Sequence, residues 1–332
     1  LQGYIASLPE KDPGAVSWYM RVSKLAVAVA VIKISPSGGA RQFAESLADR
    51  LRLQDEGWRS KARSLHEELL RLRQELLLTR LKGQCLPPTP PNSQSFPLQD
   101  RKWRQDHRLL KHMQFLHCLS GLRGGCESSL FHDGDVVWDS VVQLLDSVVE
   151  VFRQANVGQP LDHPEQLLHA TQVVAQTLSR GGAQRGCSVQ HFSKVDDLLK
   201  EMTNLLLNNH QLNSFSVHGV LSECLLALGG SPAVRTAFVQ LLMSQIIQLA
   251  QQLWDTCERS REEQHHQLDW IRYENSFYVF WLLEHLAQDI DYNVNKELVI
   301  QLETKAFPLA DEFPLFSLYM WRIGGLFRAE HT

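Results

Sequence analysis

From Ser17 to Lys33 the chain reads SWYMRVSKLAVAVAVIK, with polar residues only near its ends and a core, Leu25 to Ile32, that is apolar on every side. A helix of that composition cannot lie half in water and has to be covered all round. The run of eight spans about 12 Å of helix, far short of the roughly 20 apolar residues that cross a bilayer, so the cover must be protein. A proline-rich gap at residues 87–97 separates this end from the rest of the chain and directs the expectation to a neighbouring chain.

After a turn at Ser35-Pro36-Ser37-Gly38-Gly39, residues Arg41 to Leu53 place Phe43, Leu47 and Leu51 four apart, which predicts a short amphipathic helix. Gly57 then precedes a stronger pattern. Trp58, Ala62, Leu65, Leu69, Leu72, Leu76 and Thr79 alternate by four and three over Gly57 to Leu81, a heptad seam that wants a helical partner along its length. Leu70, Leu77, Leu78 and Leu81 widen that seam, which favours a bundle of three or more helices over a two-stranded coil.

Lys82 to Gln99 carries five prolines, at 87, 88, 90, 91 and 97, which bar helix and central strand alike and predict a flexible linker over 83–100. A basic entry, Arg101 to His112, leads into further helix. From Asp135 onward every segment has helical periodicity. Pro164, Pro232 and Pro314 sit where a first helical turn tolerates them, and Gly158, Gly181-Gly182 and Gly229-Gly230 stand just past helix ends. The predicted fold is all-α: an uninformative leader over 1–15, N-terminal partner-binding helices over 16–82, and over 101–330 either a helical-repeat domain of HEAT or armadillo type or one bundle. The aromatic run Tyr273 to Leu286 is assigned to the core of that domain.

Composition is that of a globular chain, 44% hydrophobic and 21% charged. The charge is unevenly placed. Residues 1–112 hold 19 Lys/Arg against 11 Asp/Glu, net +8, and the remaining 220 residues are net −12. The basic half supports an alternative class of function, sequence-independent DNA binding through Arg59, Lys61, Arg63, Arg71, Arg73 and Arg80, although charged helix faces give the same balance. Six scattered cysteines suit reduced thiols in cytosol or nucleus, and residues 1–14 lack the pattern of a secretory signal.

No constellation for catalysis emerges. GxxxxGK is absent, so no backbone cradle for phosphate is encoded. His66-Glu67 begins like HExxH, but Leu70 occupies the second ligand position. His112, His117, Cys118 and Cys126 match no zinc spacing, and His265-His266 with Glu262-Glu263 sits in a polar run. The expectation is a chain that is not an enzyme and takes no cofactor or metal.

Several stretches, in order, carry a resemblance: Trp18-Tyr19 through Lys33, Trp58-Arg59-Ser60-Lys61 leading into Leu69 to Leu81, His112 to Phe115, Gln143 to Asp146, and Arg272 to Leu283. In these the chain resembles the meiosis-specific Mei-four family of vertebrates, from which it differs in a shorter proline-rich linker and in the segment before Val16. The resemblance implies a non-enzymatic accessory factor for programmed DNA double-strand breaks in meiotic recombination, acting on chromosome axes in the nucleus. It implies two partners, a self-associating protein with a pleckstrin-homology domain, gripped through residues 16–34, and a coiled-coil chromosome-axis protein. Trp18, Tyr19, Arg21, Val22, Lys24, Leu25, Ala26, Val29 and Ile32 are then the expected partner-binding residues, and Trp58, Leu65, Leu69, Leu72 and Leu76 a second association seam. Withdrawing the Leu25 to Ile32 run from such an interface should cost several kcal/mol, at about 0.8 per CH₂ returned to water.

Overall fold

The structure is a computed structural model of the chain and describes residues 13–35, 39–85, 106–122, 134–155, 161, 163–181, 189–209, 215–261, 269–287 and 292–329. The leader up to residue 12 and most of the proline-rich stretch lie outside the described residues. Among those described, every regular element is a helix and no strand occurs, so the all-α class is observed. The chain divides into two compact units, residues 1–71 and 72–332.

The first unit holds α1 (Pro13–Ile34) and the front of α2 (Ala40–Cys85). Pro13 opens α1 at a position where the missing N–H costs nothing. Ser35 closes it: its amide donates to the Val31 carbonyl at 3.0 Å and its hydroxyl to the Ile32 carbonyl at 2.9 Å. The two helices predicted over 41–53 and from Gly57 are in fact one continuous helix of 46 residues. A glycine in a helix interior costs only about 1 kcal/mol relative to alanine, too little to break a long helix. Here Asp55 and Arg59 also pair across Gly57 at 2.7 Å, one of the i,i+4 contacts that support an exposed helix.

The end of α2, from Leu72, belongs to the second unit, although its sequence groups it with the N-terminal helices. It is followed by α3 (Asp106–Leu122), α4 (Gly134–Gln154), α5 (Pro164–Gly181), α6 (Val189–Asn208), α7 (Phe215–Gly229), α8 (Pro232–Arg261), α9 (Trp270–Leu286), α10 (Tyr292–Ala306) and, after a 3-10 turn at Phe307–Leu309, α11 (Pro314–Ala329). The three prolines predicted at first turns open α5, α8 and α11. Helices pack on their second neighbours in two series, α3 on α5, α7, α9 and α11, and α4 on α6, α8 and α10. Contacts such as α3 with α4, α6 with α7 and α10 with α11 join the two layers. Helix lengths, from 15 residues in α7 to 30 in α8, follow no fixed repeat.

The core lies between these layers. On α4, Val141, Leu144, Leu145, Val148, Val149 and Phe152 recur at three- and four-residue steps and are fully buried. Pro232–Glu258 of α8 is long and apolar enough to span a bilayer, but Val239, Leu242, Met243, Ile246 and Leu253 spend that apolarity on the protein interior. Between α7 and α8 the chain turns at Gly229-Gly230-Ser231, where the Arg235 guanidinium donates to the Gly230 carbonyl at 2.8 Å and caps α7. Asp269 caps α9 by accepting the Arg272 amide at 3.0 Å. Across α4 and α6, Arg153 donates to both oxygens of Glu201 and to Glu150, and these bonds hold the guanidinium firmly protonated.

Candidate partner-binding helices

Alternating valine and alanine build the middle of α1. Valine alone is a mediocre helix former, because its branched side chain loses χ1 freedom against the preceding turn, and Ala26, Ala28 and Ala30 compensate. The side chains from Arg21 to Ile34 are exposed, apart from the half-buried Val31. Leu25 and Ile32 are 66% and 62% exposed and Val27, on another side, 63%, so the apolar surface runs round the rod and is not a single stripe. Val22, Ala26 and Val29 are exposed as well. Arg21, Lys24 and Lys33 flank the run, and no carboxylate occurs from Pro13 to Ala44. Trp18 and Tyr19 fall within α1 by backbone; their side chains lie outside what the structure describes.

On α2 the predicted seam residues Trp58, Leu65, Leu69, Leu72 and Leu76 are all exposed. The buried line is a different one, Leu70, Gln74 and Leu77, again at steps of four and three. At about 100° per residue the two lines sit roughly a third of a turn apart, so Leu70 and Leu77 do not broaden the seam but form a separate face. Gln74 hides this face from a search for apolar periodicity. Its Nε2 donates to Ser140 Oγ at 2.7 Å and lies 2.9 Å from His112 Nδ1, which ties the end of α2 to α3 and α4. The nearest signal in the sequence is the step of three from Gln74 to Leu77.

The basic residues of α2 are partly engaged. Arg59 pairs with Asp55 at 2.7 Å, Arg71 with Glu68 at 2.6 Å, and the Lys61 ammonium sits 5.7 Å from the centre of the Trp58 ring. Arg63, Arg73 and Arg80 are exposed. Among the described residues no group of three His, Cys, Asp or Glu is placed to hold a metal. His112 is occupied with Gln74, Cys118 is exposed, and Cys126 and His265-His266 lie outside the described residues.

The family model for Meiosis-specific protein Mei4 matches residues 21–103 and 99–332. The chain belongs to the Mei4 family. Meiosis-specific protein MEI4 of Danio rerio is 66% identical over 363 residues, covering 99% of both chains. The Homo sapiens and Mus musculus proteins of the same name are each 28% identical, covering 92% and 93% of this chain and 95% of their own lengths. No solved structure matches. The Mei4 match thus takes in the apolar run of α1, the exposed seam of α2 and the whole helical stack, and identifies a vertebrate meiosis-specific protein.

Proposed function

We propose that this Mei4-family chain is a non-enzymatic scaffold for programmed DNA double-strand break formation, required for homologous recombination and pairing during gametogenesis. It acts in the nucleus on chromosome axes through α1, held by a self-associating meiotic partner that carries a pleckstrin-homology domain. One observation carries this proposal: α1 exposes apolar side chains on several sides, and such a rod is stable when a partner's helices enclose it. Arg21, Lys24 and Lys33, with no carboxylate nearby in sequence, suit a partner whose rim is acidic. The exposed seam Trp58, Leu65, Leu69, Leu72 and Leu76 suits a second, helical partner, the coiled-coil axis protein.

Co-purification of the full chain with the first partner tests the proposal. Leu25→Asp with Val29→Asp should abolish capture while leaving the circular dichroism melt of the helical stack in place. Undiminished capture would refute it. Direct DNA binding is a second reading, supported by the exposed Arg63 and Arg73. Phosphate contact releases counterions, so affinity for duplex DNA must fall steeply with added salt, and a flat response excludes it.

A further inference from the structure

Helices α7 and α9 leave a cavity of about 330 Å³ between them, lined by Phe215, Gly219, Ser222, Glu223, Phe277, Tyr278 and Trp281. Among the described residues, no aliphatic side chain lines it. Four aromatic rings, Ser222 and the Glu223 carboxylate do, and Gly219 leaves the α7 side open, with nothing within 4 Å of where a Cβ would stand.

The rings are held from behind. Tyr278 stacks on the buried His218 at 5.2 Å and 14°, Trp281 lies 4.3 Å from the His285 ring, and Phe277 meets Tyr319 edge-on at 5.4 Å. Phe215 stands at the rim, 86% exposed.

The rings and the neighbouring carboxylates decide what fits. Glu223, exposed beside the rings, supplies the opposite charge to a cation. Glu274 adds a second exposed carboxylate one turn before Tyr278 on α9. Aromatic faces attract cations through their quadrupoles, and guanidinium, planar and weakly hydrated, stacks on rings while its edges donate.

We propose that the cavity between α7 and α9 is a recognition site for an arginine side chain presented by a basic segment of a partner protein. The ring faces take the guanidinium plane, and the Glu223 carboxylate accepts its N–H groups.

Fluorescence anisotropy of the full chain with a short labelled glycine–serine peptide carrying arginine tests this, beside twins in which citrulline, lysine or trimethyl-lysine replaces it. The arginine peptide should bind saturably and the neutral citrulline twin about tenfold or more weaker. Trp281→Ala, which leaves net charge unchanged, and Phe215→Ala, at a side chain too exposed to matter for folding, should each weaken binding several-fold. Glu223→Gln should do the same, whereas Trp321→Ala, an exposed tryptophan on α11, should have no effect. Leu25→Asp with Val29→Asp should leave arginine binding intact, which separates this site from α1. Equal affinity for arginine and citrulline, tighter binding of trimethyl-lysine, absence of saturable binding, or indifference to both aromatic substitutions would overturn the proposal.

Discussion

Gln74 Nε2 stands 2.9 Å from His112 Nδ1, and the same nitrogen donates to Ser140 Oγ at 2.7 Å, while Ser140 in turn donates to the Val136 carbonyl. One amide thereby joins three helices in the interior of the second unit. An amide nitrogen only donates, so His112 receives that bond on an unprotonated Nδ1. Gln74→Ala removes the donor and strands two buried acceptors. It should lower stability by about 1–3 kcal/mol in urea titrations followed by circular dichroism.

Adjacent leucines on α2 should respond differently in the same titration. Leu77 is buried and Leu76 exposed. Leu77→Ala should cost about 2–5 kcal/mol through lost burial and the cavity left behind, whereas Leu76→Ala should stay within about 0.5 kcal/mol. Equal effects would contradict the division of α2 into a buried and an exposed face.

Two glycines form a second contrast. A Cβ on Gly229 would lie 2.8 Å from Leu286 Cδ1 and from Phe238 Cδ1, so α7 meets α8 and α9 there too closely for alanine. Gly229→Ala should destabilise by about 1–3 kcal/mol. Around Gly57 nothing lies within 4 Å of the added carbon, and Gly57→Ala in mid-helix should stabilise by about 0.5–1 kcal/mol. Thermal melts of the two variants should therefore shift in opposite directions.

Cys224 links stability to pH. Burial pushes its thiol up from 9.0 to about 12, against a smaller opposing effect of its hydrogen bond with Thr171. The folded state holds the proton that the unfolded chain releases near pH 9. Its contribution is therefore complete below that pH and declines as pH rises toward 12, by about 1–2 kcal/mol at roughly pH 10. Urea midpoints across this range should fall less for Cys224→Ala than for the unsubstituted chain. Parallel slopes would contradict the assignment.

Much of this architecture is legible from residue order because helices announce their ends and their buried faces. Pro164, Pro232 and Pro314 each open a helix, and the spacing of Val141, Leu144, Val148 and Phe152 marks the core face of α4. Gly57 misled because one unfavourable residue does not outweigh the turns on either side. The Leu70–Gln74–Leu77 face was hidden because its central member is polar and becomes compatible with burial only beside His112 and Ser140. In the aromatic run of α9, Val279, Phe280 and Leu283 are core as expected, yet Phe277, Tyr278 and Trp281 border a cavity. Periodicity gives the direction of a side chain but not whether the facing helix fills the space opposite. The apolar run of α1 was plain in the sequence, since no arrangement of LAVAVAVI on a helix has a polar side.

Hydrogen exchange at the amides of residues 21–34, measured on the chain alone and after assembly with the proposed pleckstrin-homology partner, tests the central claim most directly. Strong protection that appears only in the assembly is the result predicted for a rod enclosed by another chain. Equal exchange in both states, fast or slow, would contradict it.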